Sequence, residues 1–459
     1  MDKHFIRVSS TDSRYLEYDD GRPFVPNGAN LCFPRRLREE EEAVFGYYEE
    51  LFSSLGRNGG NFARIWLSSP FFEVEPERQG KFDPARRRRI AKVAELASKH
   101  GIKLKLTLNH FRSLSDQPQP EKFPGAANFV NHVYARNGGG SFDSIDEFLS
   151  SPEGDAVFLA KLDFLAEAFR SEPAIMAWEL WNEVNCTGPF ELWSRWSERM
   201  LPELKRRFPN HLALQSLGSY DSIGGNRIYR WLGALEGNEI VQAHRYLDPG
   251  ADLDVCRGAL DLAGRDVIAQ LRAFAPDSPL LWAEGGAVEW KHSAPSRLYA
   301  LDREGMLLHD ILFSSWFAGA AGSGQPWHWE EYLMPGDHWR HFRFFAEAVR
   351  GIDPRCERFR TRLLENRELR LHLLDGETQL SVWCRDKAND WRSELEESSP
   401  PRLRKGIELD LRDLSADPVA SVEFYAPWSG ERGSLPVRDC RIELPEFERS
   451  LVLTCHKVR

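Results

Sequence analysis

Through roughly the first 350 residues, hydrophobic positions recur at two alternating spacings. Short apolar runs read as buried strands: Asn61-Phe-Ala-Arg-Ile-Trp-Leu67, Ile102-Lys-Leu-Lys-Leu-Thr-Leu-Asn-His110, Ala174-Ile-Met-Ala-Trp-Glu-Leu180, Glu239-Ile-Val-Gln-Ala-His-Arg-Tyr246 and Pro279-Leu-Leu-Trp-Ala-Glu284. Between them, apolar residues fall three and four apart, which predicts helices over 40–55, 156–169, 191–207, 260–274, 295–315 and 338–349. Another helix opens at Asp83-Pro84 and stops at His100-Gly101, a capping residue at one end and a glycine at the other.

Strand followed by helix, repeated, is the pattern of parallel βα units. Strand positions near 28, 64, 105, 177, 214, 241, 281 and 322 make eight, so the fold expected is α/β, a (β/α)8 TIM barrel with insertions. The eighth, within Ala318–Trp329, is Gly-rich and the least strand-like. Residues 111–150 interrupt the rhythm with Gln117-Pro-Gln-Pro120 and Gly138-Gly-Gly140, and read as a functional loop because regular units resume after it. Past Asp353-Pro354 the texture changes. Leu369-Arg-Leu-His-Leu-Leu, Gln379-Leu-Ser-Val-Trp-Cys, Ile407-Glu-Leu-Asp-Leu, Val419–Tyr425 and Leu451–Cys455 alternate between turns, the mark of a smaller antiparallel β-sandwich. The expected division is a barrel over 1–355 and a sandwich over 356–459.

Composition narrows the function more than the fold. A net charge of −10 argues against nucleic acid as partner. The one basic run, Arg86-Arg-Arg-Arg89, lies on a helix whose apolar face is Ile90, Val93, Ala94 and Ala97, and reads as a solvated face. No run approaches the ~20 apolar residues of a membrane span, and no apolar leader opens the chain. Seven widely spaced cysteines without a CxxC suggest idle thiols in a reducing compartment, so a cytoplasmic address is expected unless a leader was removed. Fifteen tryptophans point to flat ligands.

The active site of such a barrel lies at the C-terminal ends of its strands. The polar residues there are Arg64, His110, Asn182 with Glu183, His244 with Tyr246, and Glu284, joined by Trp327 and Trp329. Trp66, Trp181, Trp282 and Trp290 are further candidates for lining sugar subsites, with about two of them expected to be packing. Two carboxyl groups across a barrel mouth suit retaining glycoside hydrolysis, one protonated to assist the leaving oxygen and one ionised to attack. Arg64 would favour the ionised form of Glu284, whereas desolvation among rings and a negative neighbour would raise the pKa of Glu183. A zinc hydrolase is the chemical alternative, but the histidines are dispersed and neither His-x-His nor HExxH occurs.

Trp181-Asn-Glu183 on the fourth strand with Glu284 ending the seventh resembles the retaining (β/α)8 glycosidases, and most closely glycoside hydrolase family 5, the cellulase and β-mannanase family. Gly28-Ala-Asn30, Phe62-Ala-Arg-Ile-Trp66, His244-Arg-Tyr246, Trp282-Ala-Glu-Gly-Gly286 and Trp327 support it over about residues 5–350. The resemblance implies Glu183 as acid/base, Glu284 as nucleophile about 5–5.5 Å away, and Asn182 bonded to the sugar 2-hydroxyl. It further implies Arg64 and Tyr246 holding Glu284, His244 near Glu183, and Trp327 flooring the subsite. It implies no cofactor or metal, and an oligosaccharide or glycoconjugate as partner. His110 departs from the pattern, since Asn109-His110 leaves the register open. The expected activity is hydrolysis of β-linked gluco- or manno-configured saccharides, mannan-type favoured; the alternative is a carbohydrate-binding barrel without turnover.

Overall fold

The computed structural model describes residues 3–34, 40–117, 119 and 129–458. Pro118 and Pro120 of the Gln-Pro-Gln-Pro run lie outside the described residues, as do 121–128 of the loop that follows.

Among the described residues, seven parallel strands in two ladders carry the first part of the chain, beside a separate two-residue parallel pair, Ser113–Leu114 with Val130–Asn131. The seven are β1 (Gly28–Asn30), β2 (Phe62–Trp66), β3 (Lys103–Asn109), β4 (Ile175–Trp181), β5 (Leu212–Leu214), β6 (Val241–Leu247) and β7 (Leu280–Ala287). β1 to β5 form one ladder in sequence order, and β6 pairs with β7. Gly28 has no substitute, because a Cβ there would lie 1.8 Å from the Phe62 carbonyl oxygen.

The expected eighth strand is not a regular ladder. Its backbone is nevertheless bonded on two sides. Gln325 N donates to Trp282 O and Trp327 N to Gly285 O, while Asn30 N donates to Pro326 O and Ser323 N to Pro26 O. On the opposite side Glu239 N donates to Ala213 O, linking the β5 and β6 ladders.

The helices between strands are α1 (Glu41–Arg57), α2 (Pro84–Lys99), α3 (Pro152–Phe169), α4 (Phe190–Arg207), α5 (Gly225–Ala234), α6 (Leu260–Phe274), α7 (Met306–Phe317) and α8 (Arg340–Ala348). Asp83 caps α2 by accepting from Ala85 N, as its position predicts. Two expectations change. The 295–315 helix is broken, because the Asp302 carboxylate caps the amides of Gly305, Met306 and Leu307 and starts α7 afresh after a left-handed Gly305. The α2 arginines are not one solvated face: Arg86 is buried and donates to the Pro70 and Phe71 carbonyls.

The polar and apolar faces of the strands are also reversed from a solvent-facing sheet. Alternate residues of a strand share a face, and on β3 these are Lys103, Lys105, Thr107 and Asn109, all buried. Lys105 and Thr107 meet Arg64, Glu179 and Gln242 from neighbouring strands in an interior polar layer.

The tail forms a six-stranded antiparallel sheet in the order β8 (Arg360–Glu365), β9 (Leu369–Asp375), β10 (Gln379–Asp386), β13 (Ser450–Lys457), β11 (Val419–Ala426) and β12 (Glu431–Leu435). Its partner layer is a two-stranded ribbon, Glu408–Asp410 with Arg441–Glu443, so the expected sandwich is lopsided. Leu371, Leu373 and Val382 pack on the ribbon's Leu409 and Ile442. Through its other face the sheet meets α6 and α7: Trp383 lies against Phe313, Asp261 holds Arg370 and His372, and Asp310 holds Arg385.

Candidate active site

The strands' C-terminal ends open on a cavity of about 340 Å³ lined by Trp66, Arg112, Phe129, Asn182, Glu183, Tyr246, Glu284, Trp327 and His328, with Ser219, Asp221 and His292 at one side. Its framework is the interior polar layer. Arg64, fully buried on β2, donates to the carboxylate of Glu284, the carboxylate of Glu179 at 2.5 Å, the amide oxygens of Asn182 at 2.8 Å and Asn30 at 3.3 Å, and the Thr107 hydroxyl at 3.1 Å. Burial penalises its charge, but the two carboxylates outweigh that and hold the guanidinium firmly protonated. Glu179 is held down at about 2 despite burial, by Arg64 and Lys105. Lys105 is pushed down to about 8 by burial beside Arg64.

Glu284 sits above this layer. Tyr246 Oη donates to its Oε2 at 2.7 Å. Burial and that carboxylate keep the Tyr246 phenol well above its ordinary pKa, so it remains a donor. His244 lies opposite Glu284 where the β6–β7 register slips between Ala243 and His244. Such a bulge re-aims a side chain, and here the imidazole bridges the carboxylates, Nδ1 lying 2.9 Å from Glu183 Oε1 and 3.3 Å from Glu284 Oε2. One ligand atom from each of the three residues lies within 4.8 Å of the others.

Glu183 follows β4 with a left-handed backbone, φ 54° and ψ 52°. A non-glycine residue there carries strain of about 1–3 kcal/mol, consistent with a side chain aimed by its surroundings. Lys291, His292 and His328 at the same end also have positive φ. Arg112, stacked on Phe129 at 4.4 Å, donates to Glu183 Oε2.

This corrects one expectation. Burial does push the Glu183 carboxyl up, but Arg112 and His244 overcome it and hold the group below the usual carboxylate range. The expected elevation is absent because the ring-lined wall brings a guanidinium with it.

Of the anticipated residues, Glu183, Glu284, Asn182, Tyr246, Trp66 and Trp327 line the cavity, with Arg64 and His244 directly behind. His110 does not line it. It stacks on the far side of Trp66 at 4.7 Å, bonds Ser68, and faces a smaller neighbouring cavity. Trp329 is also displaced: fully buried, it donates to Tyr47 and packs on Phe33. The backbone turns at His328, φ 26°, so His328 rather than Trp329 reaches the cavity. Trp181 and Trp282 are packing, bonded to the Phe111 and Arg245 carbonyls, and Trp290 is exposed outside the cavity lining.

Sequence reasoning missed Arg112, Glu179, Lys105, His292 and His328. The strand residues among them had a signal, since charges on a period-two face buried on both sides must find partners inside. Arg112 had none.

Among the described residues, two sets of side chains have the spacing of a metal site, Glu183–His244–Glu284 and Asp221–Asp248–His292. The first already faces two guanidinium groups, Arg64 and Arg112, which oppose a cation there.

No family model matches the chain. In sequence it is similar to mannan endo-1,4-beta-mannosidase 1 of Oryza sativa subsp. japonica, 26% identical over 383 residues, covering 76% of this chain and 83% of that one. Mannan endo-1,4-beta-mannosidase 4 of the same organism is 26% identical over 449 residues, covering 89% and 90%. The chain is family 5-like. Its fold is similar to that of the endo-1,4-beta-mannanase from Rhizomucor miehei, with a TM-score of 0.51 over 75% of this chain and 99% of that one at 18% identity. Glu183 follows the fourth parallel strand and Glu284 lies within the seventh.

Proposed function

We propose that this chain is a retaining β-glycoside hydrolase acting by double displacement on β-linked saccharides, manno-configured ones favoured. The carrying observation is the pair of carboxylates from β4 and β7 bridged by one imidazole. Inverting enzymes separate theirs by about 6.5–9.5 Å to admit water between them, and a shared histidine leaves no such gap.

In the first step the Glu284 carboxylate attacks the anomeric carbon as the glycosidic C–O bond breaks, and the Glu183 proton passes to the leaving oxygen. In the second, water attacks that carbon, gives its proton to Glu183, and the ester to Glu284 breaks. Arg64 and Tyr246 orient Glu284 throughout, each bonding a different oxygen. Asn182 is placed for the 2-hydroxyl, its amide oxygen fixed by Arg64. Trp327 and Trp66, 5.1 Å apart, offer the aromatic floor.

The architecture supporting this is read as a closed (β/α)8 barrel over residues 1–355, with the 321–327 segment as its eighth strand; the backbone bonds from that segment to both β1 and β7 support closure. The sheet over 356–459 is read as a buttress. Trp383 and Trp391 are buried and Trp428 packs on His309 and His341, so its tryptophans turn to the barrel side.

Product analysis on β-manno-, β-gluco- and β-xylo-oligosaccharides tests the reading. Cleavage of the manno series is expected. Binding without hydrolysis at any pH would favour a sugar-binding barrel, a reading supported by the Arg112 grip on Glu183.

A further inference from the structure

The Arg112 contact poses a chemical problem for the acid role of Glu183. Arg112 Nη2 donates to Glu183 Oε2, and His244 Nδ1 faces Oε1 at 2.9 Å. A guanidinium has only donors to offer. A protonated Oε2 would set O–H against N–H, so the acid form of Glu183 and this ion pair exclude one another at that oxygen. The same carboxyl group must nevertheless bring a proton to the leaving oxygen.

Arg112 is held less firmly than Arg64. It stands in the loop after β3, not on a strand, with a side chain about a quarter exposed. It leans on the face of Phe129 at 4.4 Å, and its Nε is buried with no hydrogen-bond partner among the described residues. Arg64 makes the contrast: it is fully buried with bonds to Thr107, Glu179, Asn182 and Glu284. Arg112 and Phe129 together form one wall of the cavity, so a sugar entering on that side meets them.

We propose that Arg112 is a latch on Glu183, closed while the cavity is empty and displaced when the leaving-group sugar enters. Protonation of Glu183 and occupancy of that subsite then become one event, and the proton comes from solvent during binding. This rests on the double-displacement reading above. Arg112 is a positioning residue: it acts through Glu183.

Among the described residues, the charged and titratable groups facing Glu183 are Arg112, His244 of β6, Glu284 of β7 across the imidazole, His292 of the loop after β7, and the phenols of Tyr229 and Tyr246. Cys186 lies near the guanidinium. Of these, Arg112 is the loop residue that bonds Glu183 directly from the cavity wall, which makes it the group to alter.

The test is the pH dependence of kcat/KM for wild type, Arg112→Gln and Arg112→Lys. One substrate is a β-mannooligosaccharide, which needs acid assistance; the other is 2,4-dinitrophenyl β-mannoside, whose leaving group needs none. Because kcat/KM reports the free enzyme, Arg112→Gln is expected to move the alkaline limb for the oligosaccharide up by about one pH unit or more. Arg112→Lys should fall between, and the aryl substrate should show no such movement. An unmoved limb in Arg112→Gln, or both substrates losing rate in parallel at every pH, overturns the latch. Calorimetry on wild type, in two buffers of different ionisation heat, adds a readout independent of any variant. Binding of an uncleaved ligand that fills the leaving-group side should take up about one proton near neutral pH; zero uptake overturns the latch too. If wild type cleaves no β-glycoside at all, the double-displacement reading fails first.

Discussion

Two buried ionic clusters invite comparison. One lies among the parallel strands: Arg64 with Glu179, Lys105 and Glu284. The other seals the seam with the C-terminal sheet, where Asp261 takes Arg370 at 2.6 and 2.8 Å with His372 at 3.0 Å, and Asp310 takes Arg385 at 2.8 and 3.1 Å. Both use forked arginine–carboxylate bonds, and both lie out of solvent. The seam carboxylates are each gripped by a forked arginine, whereas the interior cluster ends in Glu284, which turns one face to an open cavity beside strained backbone. Burial and shifted ionisation are common to both, and access is what separates a candidate catalyst from a structural pair.

That distinction breaks if the wrong cluster carries activity. Glu284→Ala is expected to lower kcat by about 10⁴-fold or more with little loss of stability, and retained turnover on every cleavable β-glycoside would remove it as nucleophile. Asp310→Ala should do the reverse. Stranding Arg385 in the seam is expected to cost about 3–5 kcal/mol, read as a lower denaturation midpoint, with kcat intact.

A smaller effect separates the two clusters by pH. Glu179 is lowered to about 2 from its ordinary 4.5 by Arg64 and Lys105. A depressed carboxyl stabilises the fold above its unfolded pKa, and that contribution is lost as pH falls from about 4.5 through about 2. Glu179→Gln should therefore flatten stability against pH in that window. A profile identical to wild type would show that Glu179 contributes no such linkage.

Smaller still is the aromatic contrast. Trp327→Ala is expected to cost roughly tenfold in kcat/KM, about 1.4 kcal/mol, whereas Trp329→Phe should leave kcat/KM alone. Equal losses would return Trp329 to the sugar floor.

Much of the strand–helix region was legible because period and caps are local properties. Asp83 before Pro84, and the polar ends of β4, β6 and β7, announce themselves within a few residues. What escaped depends on the third dimension. Lys105 and Glu179 look like ordinary strand charges until neighbouring strands bring them to Gln242 and Arg64. Trp327 and Trp329 were candidates together because both end the Gly-rich run, but the turn at His328 leaves only Trp327 of the two on the cavity wall. Arg112 sits in a loop without period, two residues past a histidine that drew attention instead. The short helix α5 also went unread: it is ten residues long and starts after Gly224, with no side-chain cap to mark its beginning. The short strands β8 and β12 lack apolar alternation because much of each is exposed.

The central claim is that Glu183 and Glu284 work by double displacement, and the anomeric configuration of the first-formed product tests it most directly. Proton NMR should follow a β-mannooligosaccharide in the first minutes of cleavage, before mutarotation. The account predicts the β-anomer first, with the α-anomer appearing only as the product equilibrates. An α-anomer formed first would mean inversion by a single displacement, and Glu284 would lose its role as nucleophile.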